Sequence, residues 1–145
     1  MRSRRFVLIA LLGSLAGCEN PAGPWSTELQ REQAVWTGHH LDRYAYQYET
    51  MGFFNAFDGH AIRLVVLNDT VRSAQYAGTA DSVPVVPATL PTIDALFRLA
   101  MNAGDEGRLV TVQFDAVFGY PTRLELSGPP DASGVILASH IELLP

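Results

Sequence analysis

The sequence predicts an α+β domain in which two helices pack on a mainly antiparallel sheet of about six strands. Short runs of apolar residues recur along the chain, and most alternate with polar residues at the two-residue period of a half-buried strand. Two segments show helical features instead, and each precedes a group of three such runs. The predicted order is therefore helix, three strands, helix, three strands, and the two halves share no visible sequence similarity.

The first predicted helix begins near Ser26 or Thr27. Thr27 and Gln30 have the spacing of a capping box, but the apolar stripe of this helix is weak apart from Trp36. The strand that follows alternates strictly over Tyr44–Glu49. This alternation places three tyrosines on one face of the strand, namely Tyr44, Tyr46 and Tyr48.

A β-hairpin is predicted next, with strands at residues 61–67 and 70–76. Asn68 and Asp69 lie between the strands, and both residue types tolerate the positive φ of a two-residue turn. Residues 77–91 contain three prolines and a glycine, which predicts an extended connecting loop.

The second predicted helix has the strongest local pattern. Thr92 is its expected N-cap, Asp94 lies in the first turn where the helix dipole favours an acid, and Gly104 is expected to end it as a left-handed cap. The residues at core-facing helical spacing are Ile93, Leu96, Phe97, Ala100 and Met101.

Three further strands follow the second helix and predict an antiparallel meander with one solvated face. Their alternating apolar positions are Val110, Val112 and Phe114, then Leu124 and Leu126, then alternate residues from Val135 to Leu143.

The chain begins with arginines, an apolar run, small residues and its single cysteine, Cys18. The apolar run is too short for a transmembrane helix, which needs about 20 apolar residues. The order resembles the lipobox signal of bacterial lipoproteins, carried here by Leu15, Ala16, Gly17 and Cys18. The resemblance implies cleavage before Cys18 and acyl chains such as palmitate on this residue. The alternative is an ordinary secretory signal in which the cysteine is coincidental.

This prediction divides the chain into a signal peptide at residues 1–17, a lipidated tether at 18–26 and a single α+β domain at 27–145. Trp25, at the end of the tether, either rests at the membrane interface or packs on the first helix. Glu19 differs from the aspartate that retains lipoproteins in the inner membrane of enteric bacteria. We therefore expect the outer membrane in a cell with two membranes, and otherwise the outer face of the cytoplasmic membrane.

Charge argues against a nucleic-acid partner. The 145-residue chain has a formal net charge of -5. Removal of residues 1–17 takes away three of the ten basic residues and no acidic one, which leaves 7 basic and 15 acidic residues and a net charge of -8. A surface of this sign repels phosphate backbones and anionic lipid headgroups. The remaining length suits one domain with one core.

Several short motifs occur in a characteristic order: Trp36, Tyr44-Ala45-Tyr46, Thr92-Ile93-Asp94-Ala95-Leu96-Phe97, Phe114-Asp115 and Gly119-Tyr120-Pro121-Thr122. Over roughly Trp36 to Leu144, this order resembles an uncharacterised bacterial lipoprotein family, the domain of unknown function 6174. Many members carry cysteines after the tyrosine strand, where this chain has residues 52–55 and no cysteine, so any role of those cysteines is absent here. The family has no known activity, so the resemblance implies no functional residue.

The histidines are the first candidates for metal or acid–base chemistry. His39 and His40 are adjacent, so on a helix they point about 100° apart and do not easily share a metal. The sequence contains no His-x-His, His-Glu-x-x-His, Cys-x-x-Cys or Gly-x-Ser-x-Gly motif. We therefore expect surface histidines, with no catalytic residue, metal or cofactor.

Two classes of function remain open. The first is a non-catalytic binding or scaffold module of the cell envelope, tethered to the membrane through Cys18, with a protein or glycan partner. Its candidate binding surface is the row formed by Tyr44, Tyr46 and Tyr48. If the helices cover this row, the three tyrosines belong to the core instead. The alternative is an envelope hydrolase, which a cleft with His60 or His140 beside two carboxylates of strongly shifted pKa would favour.

Overall fold

The computed structural model describes residues 24–52, 56–128 and 133–145. The predicted signal peptide and most of the predicted tether lie outside these residues, as do residues 53–55 and 129–132. Within the described part, no helix is both long and apolar enough to cross a membrane.

The described residues form two α-helices and one six-stranded sheet, which confirms the predicted α+β class and element order. The helices are α1 (Ser26–Gly38) and α2 (Ile93–Asp105), and the strands are β1 (Arg43–Gly52), β2 (Ile62–Leu67), β3 (Val71–Tyr76), β4 (Leu109–Phe114), β5 (Pro121–Leu126) and β6 (Gly134–Leu143). The strand order is β3-β2-β1-β6-β5-β4, and neighbouring strands are antiparallel. Two meanders therefore join through β1 and β6.

Both helices pack on the same face of this sheet. Side chains of α1 and α2 share one hydrophobic core with alternate residues of the strands. Because side chains alternate between strand faces, the intervening residues lie on the opposite face. On β1 and β6 these include Gln47, Glu49, Leu137 and Ser139, all half-buried. The predicted core face of β6 is therefore wrong at its start, because Ile136 and Ala138 are the buried residues there.

Helix α1 begins where the sequence predicts, but the predicted capping box does not form. Trp25 is the N-cap, and no side chain caps the helix. The Trp25 indole N–H donates to the carbonyl oxygen of Leu109 at 3.1 Å, and the half-buried ring packs against the core. This contact with the start of β4 sets the first turn, so Thr27 and Gln30 do not cap the helix. Trp25 thus packs on the domain, one of its two predicted positions.

Helix α2 has the predicted N-cap, since the Thr92 side chain accepts the N–H of Ala95 at 3.2 Å. The predicted stripe is buried apart from the half-buried Met101, and Ala103 extends it.

The predicted cap at Gly104 is wrong, because the helix continues to Asp105. Gly107 takes the left-handed conformation instead, with φ of 68°. The Arg108 N–H donates to the Ala103 carbonyl at 2.7 Å and the Gly107 N–H to the Gly104 carbonyl at 3.0 Å, the two bonds of a Schellman motif.

The predicted β2–β3 turn is correct: Asn68 and Asp69 have φ of 50° and 49°.

In β4, however, the predicted core residue Val110 is 50% exposed. The pairing with β5 shifts between Leu109 and Thr111, so Leu109 and Val112 are the buried residues. The regular alternation predicted for β4 is therefore interrupted.

Candidate functional site

The tyrosine row does not form a binding surface. Tyr44 and Tyr46 are 1% exposed and Tyr48 is 9% exposed, because the row lies on the sheet face that the helices cover. Trp36 of α1 packs edge-on against Tyr44, with ring centroids 5.2 Å apart. Of the two outcomes that the sequence left open for this row, the structure shows the buried one: the three tyrosines belong to the core.

Two of these tyrosines hold the start of α2. The Ile93 N–H donates to the Tyr44 hydroxyl at 3.1 Å, and the Tyr46 hydroxyl donates to the carbonyl of Pro91. Burial raises the pKa of Tyr44 and of Tyr46 well above the usual value, and it raises the pKa of Tyr48 to about 12. These shifts follow from core packing and do not mark a reacting group.

The histidines lie in different parts of the fold. Nε2 of His39 is 3.1 Å from the carbonyl oxygen of Val117, His40 follows α1 with φ of 51°, and the His60 ring lies edge-on to Tyr76. His140 lies in β6. Among the residues that the structure describes, no three His, Cys, Asp or Glu side chains form a group that could hold a metal ion.

A shallow groove lies on the sheet face away from the helices, with a volume of about 510 Å³. We call it the sheet groove. It runs across the strands, and most of the residues that line it are of polar type: Gln47, Glu49, Ala61, Gln113, Asp115, Tyr120, Thr122, Arg123, Leu137, Ala138, Ser139 and His140.

A β-bulge in β6 shapes one wall of the sheet groove. The pairing of β1 with β6 shifts between Ala45 and Gln47, where β6 carries one extra residue. His140 has φ of 56°, which is uncommon for a residue other than glycine. Ser139 and His140 therefore both line the groove, although successive residues of a regular strand face opposite sides. Ser139 Oγ and His140 Nδ1 are 2.8 Å apart.

A second bulge shapes the neighbouring wall. Gln113 pairs with Arg123 but Phe114 pairs with Pro121, which leaves Thr122 as the extra residue of β5. Thr122 and Arg123 consequently both line the groove. Because β5 and β6 are neighbours, the two bulges direct two successive pairs of polar side chains into one site. Bulges commonly re-aim side chains beside functional sites.

The turn between β4 and β5 explains the Gly-Tyr-Pro motif. Oδ1 of Asp115 accepts the N–H groups of Val117 and Phe118 at 2.9 and 2.8 Å. Gly119 has φ of 74°, and a Cβ there would lie 2.8 Å from the carbonyl oxygen of Glu32 in α1. The motif therefore lets the turn lie directly against α1.

Tyr120 connects this turn to the bulge in β6. Its ring is buried against Trp36, with centroids 6.2 Å apart. Burial and the Asp115 carboxylate raise the pKa of Tyr120, while a backbone hydrogen bond from Ile141 acts to lower it. Ile141 directly follows His140, so Tyr120 binds the backbone at the bulge. In the sequence this motif supported only the family resemblance, and its connection to the groove was missed.

Carboxylates outnumber guanidinium groups in and beside the sheet groove. Arg63 pairs with Glu142 at 2.6 Å, and Arg123 lies 3.3 Å from the carboxylate of Glu125. Two further carboxylates, those of Glu49 and Asp115, line the groove. The site is thus polar and weakly acidic.

The fold and the groove define a small α+β protein whose sheet is covered by helices on one face and carries a polar groove on the other. The chain belongs to a family of unknown function, DUF6174, whose family model matches residues 28–134. This match confirms the resemblance seen in the motifs, and it ends at the first residue of β6. No match is found among curated proteins or among solved structures.

Proposed function

We propose that this protein is a lipid-anchored module of the bacterial cell envelope that binds its ligand in the sheet groove without turning it over. The groove is the observation that carries the binding role. Amide, hydroxyl, guanidinium and imidazole groups are presented there on strands, which fix side chains more precisely than loops do. The two adjacent bulges add polar groups to the same site.

The order of residues before Cys18 supports the membrane anchor. Only six residues separate Cys18 from Trp25, whose side chain is bonded to the domain. At about 3.6 Å per residue, that segment spans at most about 25 Å. An anchor on Cys18 would therefore keep the domain close to the membrane.

Site-specific photocrosslinking in intact cells tests the binding role. We would place a photoreactive phenylalanine analogue at Gln113, which lines the groove, and at Gln30, an exposed residue of α1 outside it. The proposal predicts a specific adduct with an envelope component at Gln113 alone. Equal adducts at both positions, or none at Gln113, would contradict it.

A substrate screen tests the absence of turnover. We expect the purified protein to leave ester, phosphate, peptide and glycoside substrates unchanged, with or without added zinc. Turnover that is lost on replacing His60 or His140 with Asn would establish the hydrolase alternative instead.

A further inference from the structure

We infer that the sheet groove binds a neutral oligosaccharide chain that lies across the β-strands. The inference rests on the proposed binding function and names the class of its ligand. Its basis is the direction, the chemistry and the charge of the groove.

The direction of the groove favours a linear ligand. The lining begins at Ala61, directly before β2, and continues over β1, β6 and β5 to Gln113 in β4. Four spacings of about 4.8 Å between neighbouring strands give a length of about 19 Å. A ligand along this direction crosses the strands, so an extended peptide could not pair with a strand edge there. Protein partners are instead anchored mainly by side chains in well-packed pockets, and this groove is shallow.

The chemistry of the lining suits sugar hydroxyls. Gln47 and Gln113 each offer both a donor and an acceptor from one planar group, and Arg123 offers several donors in a fixed plane. Such groups bind pairs of neighbouring hydroxyls, each of which donates and accepts. Leu137 adds a small apolar area that suits the C–H face of a sugar ring.

Charge favours a neutral chain over an anionic one. The carboxylates of Glu49 and Asp115 line the groove, and Glu125 offsets the charge of Arg123. The chain from Cys18 onward also has a net charge of -8, since it holds 7 basic and 15 acidic residues. A polyanion would be repelled.

Isothermal titration calorimetry tests the inference on the full mature protein, extracted in a detergent without a sugar headgroup. The probes are chitotetraose, cellotetraose and maltotetraose, with tetragalacturonate as the anionic comparison. We expect at least one neutral tetrasaccharide to bind with a Kd of about 10 μM to 1 mM, in the range of a few hydrogen bonds on an open surface. Tetragalacturonate should bind at least about tenfold more weakly.

Matched variants locate the binding site. His140→Asn keeps a residue that tolerates positive φ, and His40→Asn is its control, because His40 is exposed, has φ of 51° and lies outside the groove. Gln113→Ala is compared with Gln30→Ala in the same way. The groove variants should weaken binding about five- to tenfold, the loss expected from one hydrogen bond, and the controls should leave the Kd within about twofold.

Two results would overturn the inference. If no neutral tetrasaccharide binds while the Gln113 crosslink forms, the ligand class is wrong and the proposed binding function stands; a peptide in that adduct would identify the other class. If the controls weaken binding as much as the groove variants, the sugar binds elsewhere on the protein.

Discussion

Gly119 lets the β4–β5 turn approach the backbone of α1 more closely than any side chain would allow. Its φ of 74° is unfavourable for other residues, and the position of a Cβ is blocked by Glu32 and Val35. Directly after it, Tyr120 reaches both Trp36 and the backbone at the β6 bulge. Two adjacent residues thus join the helical layer to the wall of the sheet groove.

Replacement of Gly119 tests this close approach. Gly119→Ala should lower the free energy of unfolding by about 2–4 kcal/mol. The loss has two causes: alanine is strained in a left-handed backbone conformation, and its Cβ would clash with the carbonyl oxygen of Glu32. Gly78→Ala is the matched control, because Gly78 has φ of 79° and open space around it. It should cost about 1–2 kcal/mol from strain alone. Equal losses in denaturant unfolding would show that the contact with α1 is unimportant.

The buried tyrosines predict a loss of stability at high pH. Burial raises the pKa of Tyr48 from 10.0 to about 12, so between these values the folded state keeps a proton that the unfolded state loses. This contribution is fully present below pH 10 and is lost as the pH rises through 12. Tyr48→Phe should make the fall shallower by up to about 1.4 kcal/mol per pH unit, as measured by urea unfolding from pH 8 to 12. An unchanged slope would show that Tyr48 is not buried.

At the scale of elements, α2 is the helix that organises the core. Tyr44 of β1 accepts the first N–H of this helix, and Tyr46 donates to Pro91 just before it. Phe97 stacks on Phe114 of β4 with centroids 6.3 Å apart. The helix therefore contacts strands of both meanders. Its apolar stripe helps to cover the sheet face opposite the groove.

Phe97→Ala measures the contribution of this stripe. Phe97 is fully buried, so its truncation should cost about 3–5 kcal/mol. Arg98→Ala on the same helix is the control, because Arg98 is exposed and its carboxylate neighbour Asp69 is 3.9 Å away. It should change stability by less than about 0.5 kcal/mol. A loss near zero for Phe97→Ala in denaturant unfolding would contradict the packing described here.

Elements governed by local chemistry could be predicted from the sequence. The Thr92 cap and the Asn68-Asp69 turn are correct because the deciding contacts lie within a few residues. The capping box at Thr27 fails because Trp25 is bonded to Leu109, far along the chain. The cap at Gly104 fails because Gly107 offers a second left-handed position three residues later.

At the scale of the whole molecule, the site depends on the register between strands. The sequence alternation in β6 gives no sign that Ser139 and His140 line one groove, because the bulge arises from pairing with β1. The polar residues of the groove therefore could not be selected from the sequence. The tyrosine row was the visible pattern, but the helices cover it.

We propose that a lipid on Cys18 holds this domain at a membrane. The most direct test is the intact mass of the protein extracted from membranes of its host. We predict a chain that begins at Cys18 and carries acyl groups, and we expect Cys18→Ser to give an uncleaved precursor or a released protein. A mature N-terminus at any other residue, or an unmodified Cys18 thiol, would contradict the account.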